Sequence, residues 1–252
     1  MSVLPGAEPF SHDGGETGVL LCHGFTGSPQ SLRPWAQSLA AAGHTVRLPR
    51  LPGHGTTWQE MNRTRWQDWY AGVEATLVEL RAACRTVVVG GLSMGGALAL
   101  RLAEQRGADV DGLLLVNPAV KAEDPRLRVL AVLRHVLPSL PGIGSDIKKP
   151  GSTELAYDRT PLQALYSMTR MWQGVVADLP RVGQPVLLFR SAHDHVVPAS
   201  SSALVLARIS SADVTEILCE DSFHVATLDN DAERIEKESL AFVERIAARS
   251  PR

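Results

Sequence analysis

Ser93 stands in Gly91-Leu92-Ser93-Met94-Gly95, directly behind the apolar run Thr86 to Gly90 and directly ahead of a helix-like stretch, Ala97 to Glu104. G-x-S-x-G between a strand and a helix is a nucleophile elbow. The turn holds the serine in strained backbone geometry, and its flanking glycines keep side chains from colliding across it. The hydroxyl is thereby presented at the carboxyl edge of a sheet. The helix that follows aims its unpaired N–H groups at the same spot, and the one from Met94 can receive the oxyanion of an attacked ester.

A serine hydroxyl is a poor nucleophile near neutral pH, so it requires a base within hydrogen-bond reach and a third group to orient that base. Behind an elbow of this kind the chain order is serine, acid, histidine, with the acid after one late strand and the histidine after the next. Two late apolar runs fit, Pro185 to Phe189 and Val214 to Cys219. The first leads into Ser191-Ala192-His193-Asp194-His195 and the second into Glu220-Asp221-Ser222-Phe223-His224. Asp194 is the expected acid and His224 the expected base. His12, His23, His44, His54 and His135 all come too early. Asp221 lies too near His224 along the chain to orient it from the far side, and Asp229 reads as a cap for the last helix. His193, Asp194 and His195 could also be read as a metal cluster, but no ligand spacing of a known kind supports that, and neither a metal nor a cofactor is expected.

A second oxyanion donor is expected from the loop after the first central strand, Gly18 to Cys22. There His23-Gly24-Phe25-Thr26-Gly27 can lay its backbone against a substrate carbonyl, with the Phe25 amide as donor. His23 is expected to shape this loop by a hydrogen bond and to move no proton.

The elements that must position these groups alternate along the chain. A helix from about Gln30 to Ala42 ends at Gly43, and a strand at Thr45 to Leu51 closes on Pro52-Gly53-His54-Gly55. Trp66, Trp69, Val73, Leu77 and Leu80 fall at helical spacing, and further strands follow at Thr86 to Gly90 and Gly112 to Asn117. The last helix, about Asp231 to Ala248, presents Ile235, Phe242, Val243 and Ile246 on one face. Short apolar strands between helices imply an α/β fold with a mostly parallel sheet covered on both faces. With 252 residues and 44% hydrophobic content, one domain with a full core is expected. A formal net charge of -2 gives no reason to expect nucleic acid as a partner. Cys22, Cys84 and Cys219 fall in or beside strands and read as buried thiols. Met1 to Pro9 has neither a basic start nor a continuous apolar core. A cytoplasmic protein is therefore expected, with contact at lipid aggregates or a membrane surface left open and the oligomeric state unassigned.

The alternation breaks between about Lys121 and Arg181. The core is expected from residues 1–120 and 181–252, and residues 121–180 as a lid above Ser93. The lid should hold two apolar helix-like segments, around Val129 to Leu137 and Leu162 to Leu179, separated by a stretch rich in proline and glycine. Leu162, Leu165, Met168, Trp172, Val175 and Leu179 recur at helical spacing and could face either the core or an acyl chain.

Together the elbow, His23-Gly24-Phe25-Thr26-Gly27, Leu48-Pro49-Arg50-Leu51-Pro52-Gly53-His54-Gly55, Ile143-Gly144-Ser145-Asp146, Glu154-Leu155-Ala156-Tyr157, Asp194-His195-Val196-Val197-Pro198 and His224-Val225-Ala226-Thr227-Leu228-Asp229 resemble the bacterial monoacylglycerol lipases and their carboxylesterase relatives in the α/β-hydrolase superfamily. The match spans nearly the whole chain, and residues 122–137 depart from the family pattern. The resemblance implies an α/β-hydrolase fold with a small helical lid and a triad of Ser93, Asp194 and His224. It also implies an oxyanion hole from the amides of Phe25 and Met94. Glu154 would sit at the glycerol end of the pocket, with Ile143 between the glycerol and acyl sites. The implied reaction is hydrolysis of a lipid ester, a monoacylglycerol, through a covalent serine ester. Two rivals stay open: a general short-to-medium-chain carboxylesterase, and a non-catalytic receptor or interaction protein on the same scaffold.

Overall fold

The computed structural model describes residues 2–249; residue 1, where the amino-terminal reading begins, lies outside the described residues. Among the described residues nine strands, in chain order, are β1 (Phe10–His12), β2 (Thr17–Cys22), β3 (Thr45–Leu48), β4 (Thr86–Leu92), β5 (Gly112–Val116), β6 (Ser139–Pro141), β7 (Arg159–Pro161), β8 (Val186–Ser191) and β9 (Val214–Cys219). The helices are α1 (Arg33–Ala41), α2 (Trp58–Met61), α3 (Trp66–Ala83), α4 (Met94–Gln105), α5 (Leu130–Leu133), α6 (Leu162–Asp178), α7 (Ala199–Arg208) and α8 (Ala232–Arg249). Seven strands form one sheet in the order β1-β3-β2-β4-β5-β8-β9, parallel except for β1 against β3.

The central strands are buried along their whole length because both faces are covered. Leu20, Val87, Val89, Leu113, Leu115 and Leu188 pack with residues of α3, α4 and α6. Their neighbours Val19, Leu21, Val88, Leu114, Val116 and Phe189 pack with residues of α1 and α8. This period-two division explains why the strands read as unbroken apolar runs. Because β4, β5, β8 and β9 run parallel, their carboxyl ends share one edge of the sheet, where the loops with Ser93, Asp194 and His224 emerge.

Three local expectations change. The third strand stops at Leu48, three residues short of Leu51, because Pro49 has no N–H to give to a ladder. The edge strand β1 was not expected from its three residues, which are largely exposed and owe their pairing to β3. Between β5 and β8, α6 forms as expected, but the segment around Val129 to Leu137 yields only the four-residue α5. Val129, Val132 and Val136 are exposed there and lend little helix propensity. The stretch rich in proline and glycine contains the antiparallel pair β6–β7. Among the described residues no helix is long and apolar enough to cross a membrane.

Candidate active site

Ser93 has φ 58° and ψ −118°, the left-handed strain expected of an elbow. The neighbouring glycines are needed for contact as much as for torsion: a Cβ on Gly95 would lie 1.8 Å from the Cys22 carbonyl oxygen, and one on Gly91 would lie 2.3 Å from the Gly95 carbonyl carbon. The elbow is thus pressed directly onto β2. Met94 is the first residue of α4, so its amide is one of the four that helix geometry leaves without an intrahelical acceptor.

His224 and Asp194 meet, with His224 Nδ1 2.8 Å from Asp194 Oδ2 and both side chains over nine-tenths buried. The other carboxylate oxygen, Asp194 Oδ1, accepts the backbone N–H groups of Val196 at 2.8 Å and Val197 at 2.7 Å. Burial opposes charge on the His224 ring, but the hydrogen bond and charge of Asp194, with the charges of Glu154 and Asp146, outweigh it and raise the imidazole above its ordinary pKa. Of the rivals, Asp221 pairs with Lys148 at the surface. Asp229 does not cap α8 with its side chain: its buried carboxylate accepts the N–H groups of Lys148, Lys149, Phe223 and Asn230, which ties the segment at Lys148 and Lys149 to the His224 loop. It does so because four backbone donors converge there, one turn before α8 begins. His195 Nδ1 lies 2.8 Å from Asp146, and among the described residues no three His, Cys, Asp or Glu side chains are arranged to hold a metal ion.

In the loop after β2, His23 Nδ1 lies 3.0 Å from the Gly24 carbonyl, and Nε2 accepts the Leu51 N–H at 3.2 Å. Those partners fix the Nδ1–H tautomer, and complete burial lowers the pKa to about 4. His23 is a structural brace, as expected. Gly24 passes close to the nucleophile, a Cβ there falling 3.6 Å from Ser93 Cβ. Phe25 follows, its ring edge-on to Trp69 with centroids 6.0 Å apart.

Ser93, His224, Phe25, Glu154 and Ile143 all line one cavity of about 220 Å³. The helix α6 divides along its length: Leu162, Leu165, Met168 and Trp172 line this cavity, whereas Val175, and Leu179 just past the helix end, are buried in the core. With Leu127, Leu130 and Leu133 they give the cavity much of its apolar lining. Glu154, on the same cavity, lies beside Gly27 and Ser31 and within electrostatic reach of His224. Crowding by protein pushes its carboxyl up to about 7, against the pull of the His224 charge and the Ser31 hydroxyl. The backbone around Glu154 is held tightly. Gln30 accepts from Leu155 N–H at 2.9 Å and donates to the Thr153 carbonyl at 3.1 Å, and Ser145 Oγ accepts the Glu154 N–H at 2.8 Å. Ile143 lines the cavity yet is 71% exposed.

Two site residues were missed in the sequence. Asn117, with φ 44°, donates to the His224 carbonyl at 2.8 Å and to Ser191 Oγ at 2.9 Å while accepting the Ser191 N–H. Its signal was an asparagine before Pro118 at a strand end, a residue type that tolerates positive φ. Asp146 carried no signal beyond its motif.

A family model described as serine aminopeptidase, S33, matches residues 16–231. A thermostable monoacylglycerol lipase from Bacillus sp. (strain H-257) is 45% identical over 95% of this chain and 95% of its own. The chain belongs to this family of α/β-hydrolases, that of the bacterial monoacylglycerol lipases and carboxylesterases. A carboxylesterase from Bacillus subtilis is 23% identical over 95% of this chain and 97% of its own. A solved structure of a metagenome-derived lipolytic enzyme superposes with a TM-score of 0.94 at 45% identity, covering 97% of this chain and 100% of its own. The monoacylglycerol lipase of Paleococcus ferrophilus shares the fold with a TM-score of 0.80 at 19% identity, over 98% of this chain and 100% of its own.

Proposed function

We propose that the protein hydrolyses monoacylglycerols to fatty acid and glycerol through an acyl-enzyme formed on Ser93. The protein is a carboxylic ester hydrolase, and its substrate is a lipid ester. Ser93 Oγ attacks the ester carbonyl carbon as His224 Nε2 takes the hydroxyl proton, and Asp194 holds Nδ1–H so that Nε2 is free to accept it. The carbonyl oxygen becomes an oxyanion received by the amides of Phe25 and Met94. Collapse breaks the bond to glycerol, which leaves with the proton from His224. Water, deprotonated by the same ring, then attacks the Ser93 ester and releases the fatty acid.

The observation that carries this reading is the 2.8 Å contact of His224 with Asp194, with His224 opening on the same cavity as a strained Ser93. That cavity is lined by the Glu154 carboxyl and by many apolar side chains. Glu154 accepts hydrogen bonds from the free glycerol hydroxyls, and Ile143 separates the alcohol from the acyl chain. Residues 121–180 act as the lid, with α6 as its root against α3 and α4. Cytoplasmic location, with transient contact at lipid aggregates, belongs to the same proposal. Val129, Val132, Val136 and Ile143, each more than half exposed around the lid, support the contact. Steady-state rates on monoacylglycerols beside methyl esters of the same acyl chains test the whole reading. Higher kcat/KM for the glycerol esters is expected, and equal values identify a general carboxylesterase.

A further inference from the structure

The acid and the base stand on separate loops, after β8 and after β9, and the contact between them leaves their relative height and tilt unspecified. A carboxylate from a third segment bridges the two. Asp146, between β6 and β7, is 13% exposed, and its Oδ2 accepts the backbone N–H of His224 at 3.0 Å and that of His195, the residue after Asp194, at 3.2 Å. Its Oδ1 lies 2.8 Å from His195 Nδ1, and its backbone carbonyl accepts the Val225 N–H at 3.1 Å. With Asn117 on the His224 carbonyl, the base is held at both its N–H and its C=O by side chains from outside its own loop.

We propose that Asp146 is a positioning residue for ester hydrolysis, its carboxylate holding the acid loop and the base loop in one register. The assignment rests on the triad reading above. It also makes the seating of residues 142–158 on the core and the assembly of acid with base a single event, since the same carboxylate serves both. Asp146 adds its charge to the surroundings of the His224 ring. The charged groups around that ring are the carboxylates of Asp194, Glu154 and Asp146. Lys148, two residues on, spends its ammonium on Asp221, and the N–H groups of Lys148 and Lys149 go to Asp229.

Geometry and charge can be separated by substitution. An asparagine at this position keeps one oxygen for the His224 and His195 N–H groups and turns its amide toward His195 Nδ1, which accepts when that ring is neutral with its proton on Nε2. Asp146→Asn therefore preserves the bracket and removes the charge; Asp146→Ala removes both. Asp146→Ala is expected to lower kcat on the order of a hundredfold, the scale of a misplacement of about 1 Å in a reacting group. The loss should be equal for a monoacylglycerol and the methyl ester of the same acid, with KM little changed. Asp146→Asn should keep kcat within a few-fold of the parent and move the acid limb of the pH profile to lower pH. Wild-type kcat in Asp146→Ala overturns the proposal. So does equal impairment of the two variants with the acid limb unmoved, which marks a generic fold contact. If Asp146→Ala does not fold, Asp146→Glu decides, since it keeps the charge and carries the carboxylate one methylene away from the His224 and His195 N–H groups: a loss of kcat with the acid limb unmoved supports the bracket, and wild-type kcat overturns it. Hydrolysis retained by Ser93→Ala is a different failure, that of the triad reading itself.

Discussion

Gly27 leaves room for the Glu154 carboxyl: a Cβ on Gly27 would come within 2.6 Å of Glu154 Oε1. The obstructing atom is the far end of a flexible side chain, so an alanine at 27 folds and the carboxyl swings aside. Gly27→Ala is expected to lower kcat/KM for a monoacylglycerol while leaving the matched methyl ester nearly unchanged. Equal loss on both esters means that the loop, and not Glu154, was disturbed.

The same carboxyl can be altered in place. A hydrogen bond to a charged acceptor is worth roughly 1.5 to 3 kcal/mol, so above about pH 7, where the Glu154 carboxyl is ionised, Glu154→Gln should cost about tenfold or more in kcat/KM for monoacylglycerol and little for the methyl ester. Glu154 is also one of the charges that raise the His224 pKa, so its neutralisation should move the acid limb to lower pH on both substrates. Pre-steady-state rates across pH check the second effect. An unmoved limb separates Glu154 electrically from the base.

Ser93→Ala should fold and lose on the order of a millionfold in turnover, and Asp194→Asn about ten-thousandfold. Asp221→Asn should lose little, because its carboxylate faces Lys148. Wild-type activity in Asp194→Asn beside collapse in Asp221→Asn would transfer the role of acid.

In the parent protein, hydrolysis needs a neutral His224, and three carboxylates hold that ring above the ordinary imidazole value of about 6.5. Activity should therefore rise with pH through a midpoint above 6.5. A midpoint below it, measured in kcat/KM on a soluble ester, contradicts the arrangement of Asp194, Glu154 and Asp146.

The site was legible where chemistry and local backbone coincide. Ser93 announces itself because a strained turn needs glycine on both sides, and Asp194 and His224 because each follows a late strand of the parallel sheet, β8 and β9. The groups that hold those residues were hidden. Asp146 acts on a loop 49 residues further on and another 78 residues further on, and Gln30 braces Leu155 across 125 residues, separations that leave no local pattern. The division of α6 between cavity and core was ambiguous for a related reason. Helical spacing reports an apolar face and says nothing of what covers it, and here the cavity covers one end of that face and the core the other.

Two buried histidines, His23 in the loop after β2 and His54, have ring centroids 5.0 Å apart, and Trp69 stands edge-on to His54 at 5.4 Å. Burial, then the neighbouring His23, holds the His54 pKa well below its ordinary value, and His23 itself is lowered to about 4. A histidine depressed in the folded state takes up a proton on unfolding, so its contribution to stability is present above about 6.5 and is lost as pH falls toward the folded value. Glu104, pushed up to about 8 mainly by burial, has the opposite sign: its contribution is present below the ordinary carboxyl value and is lost as pH rises. Total stability therefore mixes the two, and a difference between variants isolates one. His54→Asn can keep a donor for the Pro52 carbonyl but cannot titrate. Less stable than the parent at pH 7.5 through lost packing, it should close that gap on acidification by up to about 1.4 kcal/mol per pH unit below 6.5, since only the parent carries the cost of a histidine kept neutral. Denaturant unfolding of both proteins from pH 7.5 to pH 4.5 checks this. A gap that stays constant across the range means that His54 titrates normally in the folded protein.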